Sequence, residues 1–199
     1  MNNRRRDILD KAREMFSRLS YHKVSLEDIS NSLGIGKSTM YHYFPTKEDL
    51  FNEVIRENMN RLLDHVYQSL DESKLFEEQL KDLIYLTLQF FEENRDVILL
   101  LMREKLDFMN ITTMKNRFEG KWKLYYDQFI NRFSKNLEKA KDEGKVLPLD
   151  TTLLLSNIFG TLFAVSFDYT LNNRERNLED IKEDCYLLIS NGLLNTQKD

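Results

Sequence analysis

Apolar residues recur at steps of three and four along nearly the whole chain, and no stretch alternates apolar with polar residues at strand period, so the pattern predicts helices throughout. Ile8, Leu9, Ala12, Phe16 and Leu19 form one stripe and predict a first helix over residues 4 to 19. Tyr21 and Val24 follow as a hydrophobic link. Ser25 and Asp28 have capping-box spacing: the serine hydroxyl takes an orphan amide of the first turn, and the acid reaches back to the serine amide. A second helix therefore opens near Leu26, buries Ile29 and Leu33, and stops before Gly34, the residue best able to adopt a left-handed conformation. Ile35 can tuck across the turn. Gly36 to Thr39 surround the start of a third helix over 37 to 44, which Pro45 closes. Two short helices joined by a tight turn are the grammar of a helix-turn-helix motif, here spanning about residues 25 to 44.

Thr46 and Asp49 repeat the capping-box spacing and open a fourth helix that carries Leu50, Phe51, Val54, Ile55, Met59, Leu62, Leu63 and Val66. It is too long to belong only to the head and reads as a connector starting at about residue 47. A polar turn over 68 to 74 separates it from further helices near 75–92, 95–109, 113–143, 149–171 and 177–194. The division is a head of residues 1–47 and a helical body of residues 48–199.

With Met40 pointing to the core, a wheel at about 100° per residue puts Phe44 beside it, Ser38 and His42 on the far side, and Thr39 and Tyr41 on the flanks. Lys37, Ser38, Thr39, Tyr41, His42 and Tyr43 form a hydrogen-bonding surface without an acid, where a solvated helix would carry Lys/Glu pairs. The stretch GIGKSTMYHYFPTKEDL resembles the signature of tetracycline-repressor-type (TetR/AcrR) transcriptional regulators, roughly G-V-S-K-G-T-L-Y-x-Y-F-x-S-K-E-x-L. It departs at Gly36 and Ser38, where Ser and Gly are commoner, and at Ser20, where a Gly often precedes the aromatic. The resemblance implies an all-α fold, a three-helix DNA-binding head, and a body that binds a small effector and dimerises.

Charge distribution agrees with a DNA-binding head. The net charge is −4, yet residues 1–47 hold nine Lys/Arg against five Asp/Glu, giving +4, and the remainder holds twenty against twenty-eight, giving −8. A basic head on an acidic body suits DNA binding with a separate regulatory domain. Arg4, Arg5 and Arg6 sit at the positive end of a helix dipole; contact with DNA and a frayed, solvated start are both open. The single Cys185 fits a reducing cytoplasm. No apolar run approaches the ~18 residues of a membrane span, and MNNRRRD lacks the apolar core of a signal peptide, so a cytoplasmic protein without a membrane partner is expected.

Phe118, Trp122, Tyr125, Tyr126, Phe129 and Phe133 form an aromatic stripe that Phe90, Phe91, Met102, Phe108, Met109, Met114 and Phe163 could meet. Ordinary core packing and a ligand cavity are both open. Ser156, Gly160 and Ala164 line one face with small side chains beside Phe167, and Cys185, Leu188, Ile189 and Leu193 follow in the last helix. Pairing with a second subunit, which the resemblance implies, and packing within one chain are both open. The three histidines have no metal-ligand spacing, His65 is expected to be exposed, GIGKST lacks the first glycine of a phosphate loop, and Cys185 reads as a buried hydrophobe. No cofactor and no catalytic residues are expected, and the chain is not read as an enzyme.

The expected function is sequence-specific regulation of transcription, as a homodimeric repressor released from a palindromic double-stranded DNA operator by a small, largely apolar effector of unidentified structure. Candidate DNA contacts are Ser25, Lys37, Ser38, Thr39, Tyr41, His42, Tyr43 and Lys47. Candidate pocket residues are Phe90, Met102, Phe118, Trp122, Tyr125, Tyr126, Phe129 and Phe163; Ser156, Gly160, Ala164, Phe167, Leu188 and Ile189 are candidates for the dimer interface. The alternative is a helix-turn-helix protein whose helical body is a protein-interaction module without a small effector.

Overall fold

The computed structural model describes residues 3–96, 99–100, 121–172 and 175–194, the side chains of 121 and 122 excepted. The described elements are α1 (Asn3–Leu19), a 3-10 turn (Tyr21–Lys23), α2 (Leu26–Ser32), α3 (Lys37–Tyr43), α4 (Lys47–Val66), a second 3-10 turn (Tyr67–Ser69), α5 (Phe76–Glu93), α6 (Lys121–Asp142), α7 (Thr151–Asn172) and α8 (Leu178–Asn191). The fold is all-helical. The described residues contain no strand, only an isolated bridge between Val146 and Leu194. Of the helix predicted over 95–109, only 95–96 and 99–100 are described, and these are helical. Met102, Phe108, Met109, Met114 and Phe118 lie outside the described residues, as does the start of the helix predicted from 113.

The chain forms two compact units, one of residues 1–61 and 94–122, the other of 62–93 and 123–199. In the first, Ile8, Leu9, Ala12 and Phe16 of α1 are buried together with Val24, Leu26, Ile29, Met40, Phe44, Leu50, Phe51, Val54 and Ile55. Each of these side chains larger than alanine contributes about 1.5–3 kcal/mol when withdrawn from water, before entropy is counted. Phe51 receives Phe16 edge-on at 5.6 Å and Tyr21 at 4.8 Å between ring centroids. Leu19 departs from the predicted stripe: it is 51% exposed, because it closes α1 where the chain turns into the 3-10 segment.

α2 opens with the predicted capping box, Ser25 Oγ accepting from the Asp28 amide at 3.1 Å and the Ser25 amide donating to the Asp28 carboxylate at 2.8 Å. It ends at Gly34, whose φ of +62° lets the Ile35 amide reach the Ser30 carbonyl (3.0 Å) and the Gly34 amide reach that of Asn31 (3.1 Å). These bonds fix the sharp α2–α3 turn. α4 is capped by Thr46, whose Oγ1 accepts from the Asp49 amide at 3.0 Å.

In the second unit α5 packs against α7 and α8. Its buried face runs Phe76, Leu80, Leu83, Ile84, Thr87, Leu88 and Phe91, while α6 contributes Phe129, Phe133, Leu137 and Ala140. α7 adds Leu154, Ile158 and Leu162; α8 adds Ile181, Cys185 and Ile189. Gly144 (φ +72°) ends α6 as Gly34 ends α2, with the Lys145 amide on the Ala140 carbonyl at 2.9 Å.

The 22 residues of α7 are long and apolar enough to cross a membrane by length and composition alone, although no unbroken apolar run is present. Ser156, Asn157, Thr161, Ser166 and Asp168 interrupt the apolar residues without dominating them. Ser166 is buried and returns its hydroxyl to the Leu162 carbonyl at 2.7 Å, and Leu154, Ile158 and Leu162 face the unit's core.

Candidate nucleic-acid interface

The third helix is short, and its two faces are chemically distinct. Met40 and Phe44 are buried at 1% and 3% exposure, which anchors the helix through one side. Ser38 and His42 are exposed and Thr39 is half-buried, as the helical wheel predicts; Lys37 is exposed, Tyr43 is half-buried, and Tyr41, which the wheel put on a flank, is 53% exposed. Gly36 is the N-cap and makes no side-chain cap bond. His42 lies edge-on to Tyr43 at 5.5 Å. The outward face therefore offers hydroxyls, an imidazole and an ammonium, groups that donate to and accept from base edges and phosphates.

The other candidate contacts have local partners. Ser25 is engaged in the capping box, its hydroxyl 2.7 Å from the Asp28 carboxylate; these bonds hold the Asp28 carboxyl below its ordinary range. Lys37 Nζ forms a 2.6 Å ion pair with Glu27 of α2, a partner on a separate helix that no local spacing rule signals. Lys47 Nζ donates to the Tyr21 carbonyl at 2.9 Å and sits 4.2 Å from the Tyr21 ring centroid, leaving two of its three N–H donors for other contacts. It thereby ties the start of α4 to the α1–α2 link. Of the arginines at the start of α1, Arg5 is used within the unit: it pairs with Glu53 at 2.7 Å and lies 5.2 Å from the Phe44 ring centroid, while Arg6 faces Asp10 at 3.9 Å.

In the second unit the candidate pocket residues fall into separate clusters. Phe129 stacks on Phe133 (6.3 Å) and receives Phe159 edge-on (6.5 Å), which is core packing. Tyr125 stacks on Tyr67 at 5.5 Å and donates to Asp64 at 2.9 Å. Burial pushes the Tyr126 hydroxyl up to about 12. Phe163 faces Phe167 at 4.9 Å. Phe90 is buried beside His65, with ring centroids 5.9 Å apart. His65 is thus not the exposed residue expected: it is half-buried, and its Nε2 is shielded from solvent without a hydrogen-bond partner among the described residues. Its position on the inward side of α4, facing Phe90, explains the difference. Met102, Phe118 and the Trp122 side chain lie outside the described residues.

The candidate interface residues divide by exposure. Ser156, Ala164 and Leu188 (66%) are exposed, Gly160 and Phe167 are half-buried, and Ile189 is fully buried in the unit's own core, facing inward. Cys185 is buried, and its thiol is pushed up to about 11 by that burial, so it packs as a hydrophobe.

Residues 8–54 match the sequence model of the family described as bacterial regulatory proteins, tetR family. Its DNA-binding head is of the tetR-family type. The chain is 24% identical over 157 residues to the HTH-type transcriptional regulator YfiR of Bacillus subtilis, covering 78% of this chain and 74% of that one. It is 25% identical over 161 residues to the HTH-type transcriptional regulator UidR of Escherichia coli, covering 78% of each. The fold is shared with the transcriptional regulator FadR from Bacillus subtilis, solved in complex with stearoyl-CoA: TM-score 0.75, 20% identity, 94% of this chain and 97% of that one. The chain is a DNA-binding transcriptional regulator and not an enzyme.

Proposed function

We propose that this regulator acts in the cytoplasm as a two-fold homodimer, represses from a near-palindromic operator, and is released by a small, largely apolar effector. The observation that carries the reading is the unpartnered side of α7. Only 22% of its apolar stretch is buried, and Leu153 (58%) and Leu171 (43%) are exposed at its two ends. Leu187 (51%) and Leu188 (66%) add to the exposed apolar surface from α8. An apolar helix so little covered by its own chain takes further cover, and a second copy of the same pair of helices would supply it. The functional head is residues 1–47, with 48–199 as the regulatory and dimerising part.

Within the head, Lys37, Tyr41, Tyr43 and Lys47 are proposed to grip the phosphate backbone, while Ser38, Thr39 and His42 read base edges; Ser25 secures the start of α2 beside them. In the body, Phe90 beside the Nε2 of His65 offers an apolar wall with one polar handle. Stearoyl-CoA in the FadR structure suggests a long acyl chain as the first effector class to try. α4 contributes residues 47–61 to one compact unit and 62–66 to the other, and is the candidate route of coupling.

The test uses the only tryptophan, Trp122, as reporter. Acyl-CoA esters and aromatic amphiphiles are titrated against its fluorescence, and each compound that binds is tested for release of operator duplex. Release by one such compound is expected. Tight binding of a partner protein, with every compound leaving operator affinity unchanged, would instead favour a body that is a protein-interaction module.

A further inference from the structure

The face of α3 carries no acid of its own, yet the structure puts one beside it. Glu27, the second residue of α2, holds the Lys37 ammonium at 2.6 Å. Both side chains are more than half exposed, at 61% for Lys37 and 53% for Glu27. Exposed pairs of this kind contribute little to folding, so stability gives little reason for the carboxylate to stand there. Its effect on binding is larger in kind. DNA repels a carboxylate at its surface, and a cation already paired to one has less attraction left for phosphate.

We propose that Glu27 is a specificity-determining residue. By holding Lys37 in the free head, it withholds that cation from sequence-indifferent phosphate binding. It releases the cation only where the cognate major groove supplies a donor for the carboxylate, such as the exocyclic amino group of cytosine. The pair joins α2 to α3, whereas Asp28 beside it is engaged by Ser25. The same contact raises the Lys37 pKa above the ordinary lysine range, so the group stays a full cation that only a competing anion can draw away.

The inference rests on the reading of Lys37 as a phosphate anchor, and the experiment separates the two. The full chain and its Glu27→Gln, Lys37→Gln and doubly substituted forms are titrated with a duplex selected from genomic DNA and with its scrambled counterpart, over a range of salt. Glu27→Gln should tighten binding to scrambled duplex by about 3–10-fold near 0.1 M salt, steepen its salt slope by roughly 1, and lower the preference for the cognate duplex. In the Lys37→Gln background that gain should vanish. Glu27→Ala should behave as Glu27→Gln, with melting curves unchanged because the site is exposed. An unchanged scrambled affinity on Glu27→Gln, or the same gain in the Lys37→Gln background, would overturn the gate while leaving the anchor standing. If Lys37→Gln alone alters neither affinity nor slope, the anchor fails and the gate with it.

Discussion

Ser20 is the one non-glycine described with a positive φ, at 76° with ψ 155°, a region that glycine enters freely and other residues enter at a cost of about 1–3 kcal/mol. Its amide still closes α1 by donating to the Phe16 carbonyl at 3.0 Å, so the strain is imposed by the turn that delivers Tyr21 onto Phe51. Ser20→Gly should therefore stabilise the first unit by about 1 kcal/mol after glycine's greater unfolded-state freedom is subtracted, visible as a higher denaturation midpoint. A lower midpoint would mean that the serine hydroxyl matters more than the backbone. The signature's usual glycine marked this position in the sequence, but the strain itself became legible only with the fold. Other ties were not legible at all: Arg5 with Glu53 and Lys47 with Tyr21 are 48 and 26 residues apart, and no spacing rule reaches that far. By contrast, the burial of Met40 and Phe44 and the exposure of Ser38 and His42 follow from helical periodicity alone. His42→Ala should cost about 1–3 kcal/mol on the cognate duplex and little on a scrambled one. An unchanged preference between the two would make His42 a solvated surface residue. Lys47→Ala should weaken both duplexes alike, lower the salt slope by roughly 1, and reduce head stability through loss of its Tyr21 contacts.

At the scale of elements, caps explain why helix ends could be placed. Ser25 with Asp28 and Thr46 with Asp49 are local devices, and the helices after them begin at Leu26 and Lys47 as the spacing predicts. Periodicity was less informative where neighbours decide burial, as at Leu19 and His65, or where a helix has no single apolar face, as in α7. The open side of α7 is nonetheless testable through Gly160. A Cβ added there meets nothing within 4 Å among the described residues, so Gly160→Leu is directed at what approaches from outside. Light scattering should show a shift toward monomer, with the subunit's helicity retained. A dimer of unaltered stability would place the interface on another face.

For the whole molecule, the sign of the charge is divided along the chain, +4 over residues 1–47 and −8 over the rest, so DNA is attracted to one end of the sequence and repelled by the other. A two-fold dimer presents two copies of α3, so half-sites should lie about one helical turn, ~34 Å, apart or a small multiple of it. Effector and operator must also act on each other reciprocally: a compound that weakens operator binding by some factor, typically about 5–150-fold, must itself be weakened by operator to the same extent. Equal effector affinity with and without saturating operator would separate ligand binding from regulation. The most direct test of DNA reading through α3 is selection of genomic fragments by the purified chain, followed by its affinity for the selected and scrambled duplexes at physiological salt. The account predicts a two-fold symmetric site bound by two chains, with a preference of at least about 10³. Equal affinity for the two duplexes at every salt concentration would contradict it.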